Sequence, residues 1–177
     1  MKQLAAVLLL FFLGNISVSA QEEDGIQFPN DYFGIYKGTL EVSNSKGDTT
    51  YPMEFHLNPT DSIGKYEYKL VYGAGVNRQE RPYHLIVRNA AEGTYIVDEN
   101  NGILLDDKVV GNRMYSLFEV GDNLLTTFIT FEKDHMIFEI TVSKRIQKQV
   151  TYANNEAQTE VISYPISTVQ RAVLQKQ

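Results

Sequence analysis

The chain has 177 residues and no cysteine, and its 22 acidic side chains outnumber 16 basic ones to give a formal net charge of −6. An acidic surface of this kind suits neither nucleic-acid phosphates nor an anionic membrane surface, because both attract basic proteins. The absence of cysteine excludes disulfide bonds, thiol catalysis and thiolate metal sites. We therefore expect no nucleic-acid partner and no cysteine-based activity.

Residues 1–20 have the three parts of a secretory signal peptide. Lys2 provides a basic start, residues 4–13 form an apolar run, and Val18-Ser19-Ala20 offers small residues for cleavage before Gln21. The apolar run is too short to span a bilayer, so we expect no membrane span. The mature protein is predicted to be secreted or periplasmic. The lack of cysteine and of a usable N-glycosylation sequon favours a bacterial source.

The rest of the chain predicts a flexible acidic leader, residues 21–30, and one domain over residues 31–177. We expect the leader to dock onto the domain only near Phe28. No proline-rich linker and no second composition regime divides the later residues. One domain of this size has enough residues for a sizeable core.

From Asp31 onward, apolar and polar residues alternate with a period of two, which is typical of strands with one buried face. Turn signals such as Asn101-Gly102 separate these segments, because Asn-Gly readily adopts the positive φ of a tight hairpin turn. We predict strands near residues 32–43, 49–58, 64–73, 81–89, 93–98, 103–110, 113–120, 123–132 and 134–146, with a further strand near 157–166.

Consecutive strands joined by tight turns predict an antiparallel meander. An open meander would leave two exposed edges, whereas closure into a barrel removes them. The predicted fold is therefore an all-β, up-and-down barrel of about 8–10 strands, and a β-sandwich is the alternative. At the C-terminus, Ser167 or Thr168 is a possible cap for a short helix that places Val169, Val173 and Leu174 on one side.

The first predicted strand carries a motif that resembles a known family. Gly34-Ile35-Tyr36 is similar to the Gly-x-Trp signature that opens the first strand of lipocalins and the wider calycin group, with tyrosine in place of tryptophan. The resemblance implies a calycin-like barrel that binds hydrophobic small molecules in its lumen. In that family a basic residue near the last strand covers the aromatic ring, and the resemblance implies Lys144 or Arg145 for this role.

Aromatic residues give the chain its main indication of ligand binding. Eleven tyrosines and nine phenylalanines occur without any tryptophan. Tyrosines in a lumen would suit a ligand with both apolar and polar groups, although tyrosine is also an ordinary strand former. Arg88 and Arg113 are candidates for holding an anion if they face inward. The predicted ligand-binding residues are Tyr51, Phe55, Tyr66, Tyr68, Tyr72, Leu85, Arg88, Met114, Phe118, Phe128 and Phe138.

The three histidines, His56, His84 and His135, show no metal-binding spacing. The alternation places His56 and His135 on the solvent-facing side, whereas the face of His84 is ambiguous. We predict no metal and no cofactor. Because related barrels can bind haem through one histidine, haem bound by His84 or His135 is kept as a secondary option.

The sequence contains no catalytic motif, and a non-enzymatic role is favoured. Adjacent acids such as Asp106 and Asp107 point to opposite faces of a strand, so they cannot flank one bond, and we interpret them as solvated acids. An inward-facing carboxylate or histidine with a shifted pKa would favour an enzyme instead.

Three functional hypotheses follow from these observations. The first is an exported lipocalin-like protein that holds a small hydrophobic or amphipathic molecule in its lumen. The second is an envelope or periplasmic module with a filled barrel that binds a protein partner. The third is a barrel enzyme of the isomerase or lyase type. An open lumen favours the first hypothesis, and a lumen filled by side chains favours the second.

Overall fold

The computed structural model describes residues 27–177, so the predicted signal peptide and most of the leader lie outside the described residues. Ten antiparallel strands form a closed barrel, and two further strands form a separate hairpin. The strands are β1 (Gly34–Asn44), β2 (Gly47–Pro59), β3 (Lys65–Tyr72), β4 (Gln79–Asn89), β5 (Thr94–Asp98), β6 (Leu104–Val110), β7 (Arg113–Val120), β8 (Asn123–Phe131), β9 (His135–Lys144), β10 (Gln149–Tyr152), β11 (Glu160–Ser163) and β12 (Ile166–Lys176).

The strands follow one another around the barrel in the order β1-β12-β9-β8-β7-β6-β5-β4-β3-β2. The predicted all-β, up-and-down barrel is therefore confirmed, with ten strands. The β10–β11 hairpin stands outside this order, between β9 and β12 along the chain. Short 3₁₀ turns lie at Asn30–Tyr32, Gly75–Asn77 and Arg145–Gln147. Within residues 27–177, no helix is long and apolar enough to cross a bilayer.

Alternation along each strand determines which side chains fill the barrel. On β2, Met53, Phe55 and Leu57 are buried, because they point inward and alternate with partly polar outer positions. Phe55 pairs in register with Leu70 on β3, and the ring of Tyr68 lies edge-on to Phe55 with 4.8 Å between centroids. These residues belong to a single core cluster inside the barrel.

The predicted C-terminal helix is wrong, because Ile166–Lys176 forms strand β12. Its side chains alternate, so Leu174 is fully buried while Val169 and Val173 are 41% and 38% exposed. β-branched residues such as Ile166 and Thr168 favour an extended chain. Strand pairing also favours the extended conformation, since β12 forms backbone hydrogen bonds with β1 on one side and with β9 on the other. A helix here would leave both neighbours with unpaired edges.

Aromatic side chains close one end of the barrel. Tyr32 stacks on Phe131 with ring centroids 5.1 Å apart, and Phe28 lies edge-on to Tyr95 at 5.1 Å. The Tyr95 hydroxyl donates a hydrogen bond to the backbone carbonyl oxygen of Phe28. Phe28 therefore packs onto the domain at the position that the sequence indicated, and the closed end is filled with rings.

The motif Gly34-Ile35-Tyr36 begins at this closed end. Tyr36 is fully buried, and its hydroxyl donates a 2.7 Å hydrogen bond to the carbonyl oxygen of Tyr32, while burial raises its pKa to about 12. The Nζ atom of Lys176 lies 5.8 Å from the Tyr36 ring centroid. A Cβ atom at Gly34 would come within 2.8 Å of the Lys176 side chain, so glycine leaves room for this cover.

Lys176 thus covers Tyr36, and the assignment of this role to Lys144 or Arg145 is wrong. Lys144 ends β9 and Arg145 follows it. The sequence indicated β9 as the last long strand, whereas β12 closes the barrel. Lys144 donates to the side-chain oxygen of Asn123 instead, and Arg145 pairs with Glu119 at 2.9 Å. Both lie at the opposite, open end of the barrel.

The strand assignment of residues 166–176 predicts unequal effects at two neighbouring positions. We expect Leu174→Ala to lower the free energy of unfolding by about 2–5 kcal/mol, because it empties a fully buried site. Val173→Ala removes an outward side chain, so its cost should stay below about 1 kcal/mol. Urea unfolding measures both values. Equal costs would contradict the strand and favour a helix with both residues on one side.

Candidate functional site

A cavity of about 170 Å³ lies in the half of the lumen toward the open end of the barrel. Aromatic rings and other core side chains pack the opposite half. Seven of the strands contribute to the cavity wall. Its lining consists of Tyr68, Leu70, Tyr72, Tyr83, Val97, Glu99, Leu105, Asp107, Ser116, Phe118, Thr127, Phe138 and Ile140.

Asp107 is the unexpected member of this lining. On β6 the side chains of Asp106 and Asp107 point to opposite faces, as the sequence predicted. Asp106 lies outside, where Arg88 bonds to it at 2.6 Å, whereas Asp107 points inward and is only 5% exposed. The Oδ2 atom of Asp107 is buried without a hydrogen-bond partner. The interpretation of Asp107 as a solvated acid is therefore wrong.

Burial determines the protonation of this carboxyl. Desolvation raises the pKa of Asp107 to about 7, and the nearby charge of Asp106 adds to the rise. Hydrogen bonding from the Ser116 hydroxyl and the backbone of Val97 opposes the rise. The pKa of Tyr68 lies well above its usual range, through burial first and the Asp107 charge second. The Asp107 charge thus acts on Tyr68 across the same cavity. An inward carboxyl with a raised pKa is also the feature that favours the barrel-enzyme hypothesis.

The barrel wall is incomplete beside Asp107. Strands β6 and β7 pair only between Asp107–Val110 and Arg113–Ser116. Within the described residues, Leu104–Asp106 and Leu117–Val120 have no partner across this seam, although each pairs on its other side. An outer groove of about 490 Å³ follows the seam and shares Asp107 and Ser116 with the lumen cavity. These two residues therefore lie where lumen and outer surface meet.

A wider space of about 630 Å³ lies at the open end of the barrel. Tyr72 lines both this space and the lumen cavity. Burial raises the pKa of Tyr72, and the Arg81 guanidinium nearby partly offsets the effect. Tyr51 also lines this outer space and is 47% exposed. Tyr72 therefore links the mouth of the barrel to the cavity below it.

The structure brings only part of the predicted ligand-binding set together. Tyr68, Tyr72, Phe118 and Phe138 line the cavity, and Tyr51 lies above it at the mouth. The remaining inward residues belong to the packed core or border it. They are Phe55, Leu85 and Met114, which are buried, and Tyr66, which is half-buried against Phe33.

Phe128 and the two candidate arginines lie on the outer surface. The predicted place of Phe128 and Arg88 in the lumen lining is therefore wrong, and Arg113 does not meet the stated condition of facing inward. On β8 the buried residues are Thr127 and Ile129, which leaves Phe128 facing outward against Tyr115 at 5.7 Å. The Arg113 guanidinium lies over the Phe128 ring at 4.9 Å. Arg88 is more than half exposed in its ion pair with Asp106, outside the barrel.

All three histidines lie on the outer face, and each bonds to a neighbouring polar side chain. His56 contacts Glu54 at 2.8 Å and is buried despite its outward orientation. His84 contacts Asn100, and His135 contacts Asp134. This arrangement gives no support to haem held in the lumen by His84 or His135. Among residues 27–177, no group of three or more acidic or histidine side chains is arranged to hold a metal ion.

Sequence reasoning missed Asp107, Ser116 and Tyr83 as cavity residues. Tyr83 lies beside Glu99 at the rim, and its pKa is raised by burial and by the Glu99 charge. A signal for Asp107 was present, because Leu105, Asp107 and Val109 share one face of β6 and two of them are apolar. Because Leu105 and Val109 indicate the face that points into the core, Asp107 between them is expected to point inward as well.

Comparison with known proteins supports the fold. No family model matches the sequence, and no curated protein matches it. Among solved structures, the chain is similar to a protein of unknown function from the DUF3598 family of Nostoc punctiforme PCC 73102. The TM-score is 0.59 at 8% identity, over 84% of this chain and 48% of the other. This chain thus spans about half of that protein's length, and the similarity shows a shared fold alone.

The raised pKa of Asp107 predicts a pH dependence of stability. The carboxyl ionises near pH 3.8 in the unfolded chain and near pH 7 in the folded one. Its contribution to the free energy of unfolding is therefore fully present below pH 3.8 and is lost as the pH rises through 7. The lost stability is on the order of 4 kcal/mol for a pKa shift of this size. We expect Asp107→Asn to remove this slope and to be more stable than wild type at pH 8.

Urea unfolding between pH 5 and pH 8 measures how the free energy of unfolding changes with pH. The comparison includes wild type, Asp107→Asn and Asp106→Asn. Asp106→Asn is the matched control, because it changes the outer member of the pair. It removes a charge that adds to the raised pKa of Asp107, so its slope should be smaller than that of wild type but should not disappear. Identical slopes for wild type and Asp107→Asn would contradict the burial of this carboxyl.

Proposed function

We propose that the protein is an exported binding protein that holds one small, partly hydrophobic molecule in the open half of its barrel. The single observation that carries this proposal is the lumen cavity of about 170 Å³ beside fully packed aromatic layers. The resemblance of Gly34-Ile35-Tyr36 to the lipocalin signature supports the same function. The signal-like residues 1–20 support export.

The size and chemistry of the cavity suit one ring-sized molecule. An apolar cavity of roughly 150 Å³ binds benzene, so the space here holds one ring with a short substituent. Leu70, Phe118 and Phe138 supply apolar wall, and burial of apolar ligand surface contributes roughly 25 cal/mol per Å². Tyrosine hydroxyls of Tyr68 and Tyr83 orient the polar part of the ligand.

A pair of threonine variants tests occupancy of the cavity. Thr127 is buried and lines the cavity, whereas the adjacent Thr126 lines the outer groove. Benzyl alcohol serves as probe, and protein-detected NMR follows the amide signals of Val97 and Ser116. We expect Thr127→Met to weaken binding at least about tenfold, because the longer side chain enters the space. Thr126→Met should leave the affinity within about twofold of wild type.

Thermal unfolding of the same samples checks that both variants are folded. If benzyl alcohol shifts no lumen signals in wild type, or if both variants bind it equally, the ligand does not occupy this cavity. Native mass spectrometry of protein purified without denaturation from its host envelope is the complementary experiment. A co-purifying small molecule at stoichiometric amount is the expected result.

The seam between β6 and β7 favours a second candidate, a module that binds a protein partner. Leu104 and Leu117 flank the seam and are 61% and 65% exposed. Unpaired backbone groups beside them can accept an extended peptide as an added strand. Such a partner would bind outside the lumen and would leave the cavity free.

Amide hydrogen exchange distinguishes this second function. A partner peptide selected from a random library should protect the amides of residues 104–106 and 117–120 if it adds a strand at the seam. Leu117→Asp should then reduce peptide affinity at least about tenfold, while benzyl alcohol binding in the lumen stays unchanged. Peptides that protect other strands, or none, would contradict strand addition at this position.

A further inference from the structure

The charged side chains that line the lumen cavity are both acidic. Asp107 lies in the wall and Glu99 lies at the rim, and the cavity lining contains no lysine, arginine or histidine. Arg81 is the basic residue near the mouth, where it acts on Tyr72 and Tyr83. The cavity lining therefore holds two acidic groups and has no basic residue in its own wall to balance their charge when they ionise.

The bonding of Asp107 shows what this site lacks. Its Oδ2 atom is buried and accepts no hydrogen bond from the protein. The residue as a whole is only 5% exposed, so solvent does not replace the missing donor. Ser116 and Val97 bond to the carboxyl but leave this oxygen unpaired. A buried polar atom without a partner costs free energy, and a buried charge costs more unless an opposite charge accompanies it. A ligand that brings an N–H donor with positive charge would satisfy both needs at one atom.

We propose that the lumen site takes a small organic cation, a primary amine with one apolar ring-sized group, whose ammonium donates to Oδ2 of Asp107. This inference rests on the proposed function, because it names the ligand class of the same cavity. The apolar group occupies the space between Phe118 and Phe138. Asp107 is the specificity-determining residue, and Tyr68 beside it offers a hydroxyl and a ring face to the cation.

The arrangement favours an amine over a neutral or anionic analogue of equal size. Hydrogen bonds to a charged partner are worth about 1.5–3 kcal/mol, which corresponds to about ten- to a hundredfold in affinity. A ligand carboxylate would meet the two acids of the lining and would be repelled. A ligand hydroxyl could bond to Oδ2 but would leave the charge of the site unbalanced.

Protonation of the site makes amine binding depend on pH. The groups that face Asp107 are the Ser116 hydroxyl on β7, the Val97 backbone and Tyr95 on β5, and Tyr68 on β3, with Asp106 on its own strand. None of these supplies positive charge. Arg88 and Lys108 line the outer groove that Asp107 also borders, and neither contributes to the shift of the Asp107 pKa. Ammonium binding requires the ionised carboxylate, so affinity should rise from pH 6 to pH 8 and binding should release a proton from the protein.

The experiment compares three probes with the same ring: benzylamine, benzyl alcohol and benzoate. NMR titration of wild type at pH 8 should show benzylamine binding about ten- to a hundredfold more tightly than benzyl alcohol, with benzoate weakest. Asp107→Asn has nearly the same shape but cannot ionise, so it should lose this preference and bind both neutral and cationic probes alike. Asp106→Asn is the matched control on the outer face and should keep the preference.

The outcomes separate this inference from the proposed function. Wild type that binds benzyl alcohol as tightly as benzylamine, or an Asp107→Asn variant that keeps the preference, overturns the assignment of an amine and leaves the lumen function standing. Binding of none of the three probes in the lumen overturns both. Benzyl alcohol binding to Asp107→Asn shows that the variant is folded. Where that binding is lost, Ser116→Ala is the second variant: it removes a hydrogen bond that lowers the pKa of Asp107, so the rise in benzylamine affinity should move to higher pH. An unmoved pH profile for Ser116→Ala would overturn the assignment of the amine to this carboxyl.

Discussion

The pairing of β12 with both β1 and β9 is the constraint on which the rest of the structure depends. The two registers together place Leu174 opposite Gly38 on one side and Met136 on the other, so a single residue connects three strands to the core. Closure leaves β1 and β9 without free edges, and it brings Lys176 over the ring of Tyr36. A barrel that lacked this strand would lose its closed end, because the aromatic layers there pack against residues that β12 supplies.

Packing at the closed end determines where a ligand can lie. Rings from Tyr36, Phe55 and Phe131 meet at the axis of the barrel, with Phe55 and Phe131 centroids 6.0 Å apart, so that half of the lumen is full. The lumen cavity lies in the other half, which contains Asp107 and Ser116. The pairing of β6 with β7 ends at the same level. The buried carboxylate oxygen that has no partner therefore lies at the edge of this gap in the wall.

The sequence determined the inward face of most strands, and its failures have physical causes. Phe55, Tyr68 and Phe138 were predicted correctly as inward residues, because each lies in a strand with a single apolar face. Strand β8 has apolar residues on both faces, so alternation could not decide between Phe128 and Ile129, and register with β9 decided it. The strand at residues 166–176 was missed because its closure depends on a partner more than a hundred residues away.

Asp107 could not be recognised as a lumen residue by composition, because an adjacent acidic pair is usually solvated. Its alternation with Leu105 and Val109 indicated the core face, and the fold shows that this face is enclosed. An asparagine at this position would fill the same volume without the cost of ionisation, and an apolar residue would complete the face that Leu105 and Val109 begin. Proteins commonly retain such a local cost where a side chain has a function. The cost is confined to the part of the lumen that side chains leave empty, and a bound donor would remove it. The pH dependence of stability and the proposed amine binding would therefore both follow from the same unpaired oxygen.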